Sequence, residues 1–253
     1  MIRLRAASIH LGICLIIALI FSALVFGVWY PPPLDRATNV FTIFWIILAV
    51  DVTLGPLITF IIYNPKKKEL KWDLCIVALI QLSALFYGVY TVYLSRPAYL
   101  VFNVDRFDLV QAKELTPEKF EQVSNEQFKR NPIFGYRIIA AKLPDDPEER
   151  SELMFSALNG GDDLPFLPKY YVEYKSELKT VKSHIASISD LHSFNPSQKN
   201  KIKNLEKKYM GVEVGFLAVK APYENLTAIM DKKTGEVLKI VALQPWESST
   251  NLQ

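Results

Sequence analysis

Hydrophobic and polar positions segregate sharply along the chain. Residues 9–29, 41–62 and 74–94 are three nearly unbroken apolar runs, and most charged residues lie outside them. At helical rise, about 21 residues cover the ~30 Å hydrocarbon core of a bilayer. Only a helix satisfies its own backbone there, short of a closed barrel. The pattern therefore predicts a three-helix transmembrane region over 1–95 and a separate domain over 96–253. Beyond residue 96 the pattern alternates between short β runs and capped helical stretches. The strand signals are "YLVFNV" at 99–104 with a continuation over 107–110, "YRIIAAK" at 136–142, and three runs at 212–220, 225–231 and 236–243. Helices are predicted after Thr116-Pro117 (with Phe120, Val123 and Phe128 on one face), Asp146-Pro147 (Leu153, Met154, Ala157, Leu158) and Asn195-Pro196 (Ile202, Leu205, Tyr209). Each start pairs a capping residue with proline at the first helical position. A fourth helix is predicted over 176–188. The expected fold class is a membrane protein with three transmembrane α-helices and a C-terminal α+β domain built on a mostly antiparallel sheet.

Charge adds an orientation. Arg3 and Arg5 precede the first run, and Lys66, Lys67, Lys68 and Lys71 separate the second from the third. Between the first two runs only Arg36 appears, beside Asp35. The positive-inside rule then places the N-terminus and the lysine loop in the cytoplasm and residues 96–253 on the far side. The first run exceeds a signal-peptide core and lacks a small-residue cleavage site after Val25, so it is expected to stay as an anchor. The net charge of +3 does not point to nucleic acid. The two cysteines, Cys14 and Cys75, fall in the runs, so the exported domain is expected to fold without a disulfide. No spacing among His10, His184 and His192 suggests a metal, and no cofactor is expected.

Catalytic signatures are lacking: no phosphate loop, no nucleophile elbow, no His-Glu-x-x-His. Asp162-Asp163 lacks the ligand alternation of a calcium loop. Asp145, Asp146, Glu148 and Glu149 sit where a helix N-terminus favours acids. The lysine-rich stretch 196–210 reads as a solvated face, with contact to anionic headgroups as the alternative.

Asp51 stands apart, about ten residues into the second run and ~15 Å from either side. A carboxylate at that depth is costly and faces protein or water rather than lipid. Gln81 in the third run reaches a similar depth, and Gly55-Pro56 interrupts the second run just beyond Asp51. Two roles fit. Asp51, protonated, can glue the bundle through Gln81, Ser83 or Thr53. Alternatively Asp51, Gly55, Pro56 and Gln81 form a notch that docks a helix of a partner.

The stretch "DVTLGPLITFIIYNPKKKELKWDL" (51–74), continuing as "CIVALIQLSALFYGVYTVYLSRPAYLVFNVDRF" (75–107), resembles the TfpX/TfpZ family of type IV pilin accessory proteins. "LPFLPKYYVEY" at 164–174 is similar to a further segment of that family. The resemblance runs from the basic N-terminus into the exported domain and is weaker in the last third. It implies a Gram-negative inner-membrane protein whose partners are its cognate major type IV pilin and the bilayer. Such a protein assists the pilin as a chaperone or as a modulator of assembly or retraction, without catalytic residues. The competing reading is a membrane-anchored periplasmic sensor or ligand-binding protein; the short cytoplasmic segments leave it no output device. No pattern fixes an oligomeric state.

Overall fold

The computed structural model describes residues 1–247. The chain divides into two compact units, one of Met1–Asp35 with Asn39–Ser95, the other of Arg36–Thr38 with the chain from Arg96 onward.

In the first unit α1 (Ile2–Leu24) continues into a π-helical turn, Val25–Trp29. After the one-turn helix α2 (Leu34–Ala37) come α3 (Val40–Ile62) and α4 (Leu70–Leu94). All three long helices are long and apolar enough to cross a membrane. Their outer faces carry large apolar side chains open to the surroundings, among them Ile9 at 66%, Leu79 at 65% and Phe86 at 69% exposure. In water such a surface would be an aggregation site, and in a bilayer it is the lipid contact. α3 runs unbroken through Gly55-Pro56, against the expected interruption. Proline removes one donor, and the turns on either side keep their bonds.

The unit is tightest at one end. Phe21, Val25, Trp29, Tyr30, Val40, Phe44 and Val92 form a buried cluster there. Phe26 stacks on Phe41 with centroids 4.7 Å apart, and the Tyr30 hydroxyl donates to the Val92 carbonyl at 2.6 Å. Toward the opposite end no α4 residue is buried; the buried residues of that helix, Gly88 and Val92, lie in its last two turns.

The second unit is a mixed sheet in the order β4-β3-β1-β2-β6-β7-β8, with β5 pairing on β6. The strands are β1 (Pro97–Asn103), β2 (Arg106–Gln111), β3 (Arg137–Ala141), β4 (Tyr171–Glu173), β5 (Ala186–Ser187), β6 (Val214–Lys220), β7 (Leu226–Asp231) and β8 (Val237–Val241). β1/β3 and β2/β6 are parallel and the other pairs antiparallel. The helices are α5 (Pro117–Glu121), α6 (Pro147–Leu158), α7 (Leu178–His184), α8 (Ile188–Phe194) and α9 (Lys199–Lys208). β1 is buried at all seven positions, as a strand covered on both faces must be. One core gathers Tyr99, Val101, Phe128, Ile139 and Leu153, another Leu191, Ile202, Phe216 and Ile229.

Several local expectations are corrected. Residues 107–110 do not extend β1; they belong to β2, folded back antiparallel on it. The turn between them places Val104 at φ 59° with Asp105 N–H donating to the Asn103 carbonyl at 2.7 Å. The helix after Pro117 ends at Glu121, and Phe128 enters the core from a separate 3₁₀ turn. The stretch 176–188 is split, because the chain becomes extended at Ile185 to pair β5 with the part of β6 that β2 does not reach. On α6 only Leu153 is buried, with Met154 at 59% and Leu158 at 80% exposure. Proline does open each of the three helical starts, the third as a 3₁₀ turn, but of the three caps only Asp146 bonds to the helix through its side chain, whose oxygen accepts from Glu148 N–H at 3.2 Å.

Asn195 is buried and used otherwise. Its amide nitrogen donates to the carbonyls of Leu191 (3.0 Å) and Gln244 (2.8 Å), and its oxygen accepts from Gln244 N–H at 2.8 Å. It thus pins the segment after β8 as a strand partner would. Asn195→Ala leaves these buried groups unpaired, at roughly 1–3 kcal/mol. A lower thermal midpoint of the detergent-solubilised chain is expected, and an unchanged midpoint would show that water replaces the bonds.

Candidate functional site

Polar side chains within the three long helices converge on one region. Asp51 lies eleven residues before the end of α3 and Gln81 eleven residues after the start of α4, so both sit ~16 Å from the same end at helical rise. The Gln81 amide nitrogen donates to the Asp51 main-chain oxygen at 3.0 Å and to Cys14 Sγ of α1 at 3.2 Å. These two acceptors fix which way the amide points. The amide oxygen, Gln81 Oε1, is buried and accepts no hydrogen bond.

This differs from the expected glue. Gln81 meets the backbone of Asp51 rather than its carboxylate. Ser83 and Thr53 bond back to the carbonyls of Leu79 and Ala49 in their own helices, the local alternative open to hydroxyls on a helix. Among the described residues none donates to the Asp51 carboxylate. The reason is Gly55. It lies one turn beyond Asp51 on the same face, and a Cβ there would fall on the Gln81 amide. Glycine therefore opens a slot in which Gln81 lies against the α3 backbone. Gly88 does the same for Ile47, whose side chain a Cβ would meet at 2.9 Å. Small residues let α3 and α4 approach closely at these points. Pro56 is buried beside Gly55.

α3 packs against both α1 and α4. Between α1 and α4 runs a groove floored by α3, made of two cavities of about 280 and 350 Å³ that share His10, Ile13 and Ala78. Its α1 wall extends from Ala6 to Phe21, ~22 Å of helix. His10 contacts the Thr59 hydroxyl at 2.6 Å toward its basic end, and Asp51 and Gln81 line its middle. A further cavity of about 130 Å³ lies on the other side of the Asp51–Gln81 contact, beside Gly55. The geometry joins Asp51, Gly55 and Gln81 in one place and adds Cys14, His10 and Thr59, which sequence reasoning passed over. The available signal was the i, i+4 spacing of His10 and Cys14, which puts both on one face of α1.

Arg3, Arg5, Lys66, Lys67, Lys68 and Lys71 are exposed and lie at the end where α1 and α4 begin and α3 finishes. Lys67 pairs with Asp73 at 2.5 Å. In the second unit the acidic residues are engaged elsewhere. Asp162 pairs with Lys119 at 2.7 Å, Asp163 caps Leu164 N–H, and Glu149 accepts from the Tyr170 hydroxyl at 2.6 Å. Among the described residues no group of three or more His, Cys, Asp or Glu side chains is arranged to hold a metal ion.

Comparison with known proteins supplies the context. The family model "Fimbrial assembly protein FimB" matches residues 1–38. The fimbrial assembly protein of serogroup I from Dichelobacter nodosus is 33% identical over 216 residues, 84% of this chain and 83% of the relative. Its serogroup E1 counterpart shows the same identity and coverage. The protein of serogroups C1 and C2 is 37% identical over 120 residues, 47% of this chain and 92% of its own. No solved structure matches. With a third of its residues shared across more than four-fifths of both chains, this protein belongs to the fimbrial assembly protein family.

Proposed function

We propose that the protein is a non-catalytic accessory factor of the bacterial inner membrane that assists its cognate major type IV pilin, as a chaperone or modulator of pilus assembly or retraction. The resemblance to the TfpX/TfpZ accessory proteins and the fimbrial assembly names of its relatives support this reading. The observation that carries it is the groove between α1 and α4. It is helix-length, apolar along its walls, and lined near its middle by Gln81 and by Asp51, whose carboxylate takes no hydrogen bond from any described side chain. A polar group left unpaired in hydrocarbon costs several kcal/mol, so the groove favours an occupant that brings a donor or a cation on an apolar helix. A pilin subunit awaiting assembly is such an occupant. The C-terminal domain then lies in the periplasm, within reach of the pilin head.

A photo-crosslinking residue placed at Ile13 or Leu82, inside the groove, is expected to form an adduct with pilin in intact cells. The same residue at Leu79, which is 65% exposed on the lipid side, serves as the control. Adducts from all three positions alike, or from none, would dispose of the groove as the pilin site.

A further inference from the structure

We infer that the second unit carries a headgroup-level binding surface for anionic phospholipid, built from Arg36, Lys201, Lys208 and Lys239 with Tyr223 at its margin. The first support is chain connectivity. Residues 36–38 belong to the second unit, yet only Asn39 separates them from the start of α3, a membrane-length helix. They cannot stray from the bilayer surface. Within the second unit the Ala37 carbonyl accepts from Tyr223 N–H at 3.1 Å, and Tyr223 leaves its ring 68% exposed. An exposed tyrosine tied to an interfacial segment is what the aromatic belt of membrane proteins uses.

The second support is the layout of charge. α9 lies along β8. Lys201 Nζ donates to the Ala242 carbonyl at 2.6 Å near one end, and the Tyr209 hydroxyl donates to the Leu238 carbonyl at 3.3 Å near the other. Lys201 and Lys208 are seven residues apart, two helical turns, and so share one flank. Lys239 follows Leu238 on β8. Arg36 and Lys239 both act on Lys201 as like charges, with Glu224 the opposing acid nearby. Burial and then Arg36 hold the Lys201 ammonium below the usual lysine range. Arg36, Lys208 and Lys239 are exposed and take part in no ion pair within the described residues. The three like charges of Arg36, Lys201 and Lys239 outweigh the single acid, Glu224, and repel one another, and a layer of phosphates relieves that repulsion. Lysine and arginine near such a leaflet each gain an attraction that salt screens within a Debye length.

The test uses the full chain in nanodiscs of phosphatidylcholine with or without phosphatidylglycerol, followed by hydrogen exchange. Amides of residues 199–210 and 221–225 are expected to exchange at least about fivefold more slowly with phosphatidylglycerol, the factor an anionic surface supplies to a single cation. High salt should remove the difference. So should the triple variant Arg36→Gln/Lys208→Gln/Lys239→Gln, with β6 and β7 amides unchanged to show that the fold is kept. Equal exchange in both discs overturns the inference, as does a triple variant that keeps the slowing. Slowing that appears only when pilin is added to neutral discs would assign the patch to a protein partner instead.

Discussion

Asp51→Asn is expected to leave the protein in the membrane at its normal level while pilin cross-linking from Leu82 falls at least tenfold and surface pili are lost. This pairing of outcomes follows from where the carboxylate stands. No described side chain donates to it, so the substitution breaks no bond within the unit. It also lightens the burden of inserting α3, since a charged carboxylate at the centre of a span costs roughly 2.5–3.5 kcal/mol on insertion scales. A residue that costs stability and gives nothing back internally is retained for something outside the bundle. A cation or strong donor on a docked helix would recover that cost, and a tenfold fall corresponds to ~1.4 kcal/mol of lost attraction. Gln81→Leu makes the useful contrast. It removes the bonds to Asp51 and Cys14, so it is expected to loosen α1 from α4 and reduce the amount of protein. If Asp51→Asn assembles pili and cross-links normally, docking through the carboxylate is ended, and Asp51 belongs only to the wall of the groove.

The elements legible in the sequence are those on which the surroundings impose a simple rule. Lipid demands about twenty apolar residues per crossing, so the three runs announce α1, α3 and α4 whatever their packing. Strands β6 to β8 follow from apolar runs separated by turn residues, with Gly235 taking φ 79° in the last hairpin. What escaped reading depends on partners distant in sequence. The break at Ile185 exists because β2 pairs only with the end of β6 and leaves Gly215 and Phe216 for Ser187 and Ala186 to join, and nothing local in "SHIASIS" reports that. Met154 and Leu158 have the spacing of a buried face, but the sheet needs only Leu153 from α6. At the candidate site, depth alone brought Asp51 and Gln81 together. That Gln81 lies against backbone follows from Gly55, whose missing side chain opens a slot instead of the interruption that its pairing with Pro56 predicts. His10 looked like an isolated histidine because its neighbour, Thr59, sits 49 positions away on an antiparallel helix.

Alkaline phosphatase fused after Gln253 is expected to be active and fused after Lys68 inactive, an all-or-none difference because the enzyme matures only outside the cytoplasm. Six basic residues, Arg3, Arg5, Lys66, Lys67, Lys68 and Lys71, lie at the end of the helices where α1 and α4 begin, while α2 between the first two spans holds Arg36 beside Asp35. The orientation rule counts lysine and arginine in short loops near the span ends and gives acids little weight. The Lys67–Asp73 pair therefore subtracts little. Three crossings then carry the chain from Arg96 onward to the opposite side from Lys68. Neutralising Lys66, Lys67, Lys68 and Lys71 together to glutamine should weaken the bias and raise phosphatase activity at the Lys68 junction, with Arg3 and Arg5 still holding the first helix. Activity after Lys68 and none after Gln253 in the unaltered chain would invert the arrangement. It would place the sheet domain in the cytoplasm, away from any pilin head, and leave the groove as the one surface from which a pilin could be assisted.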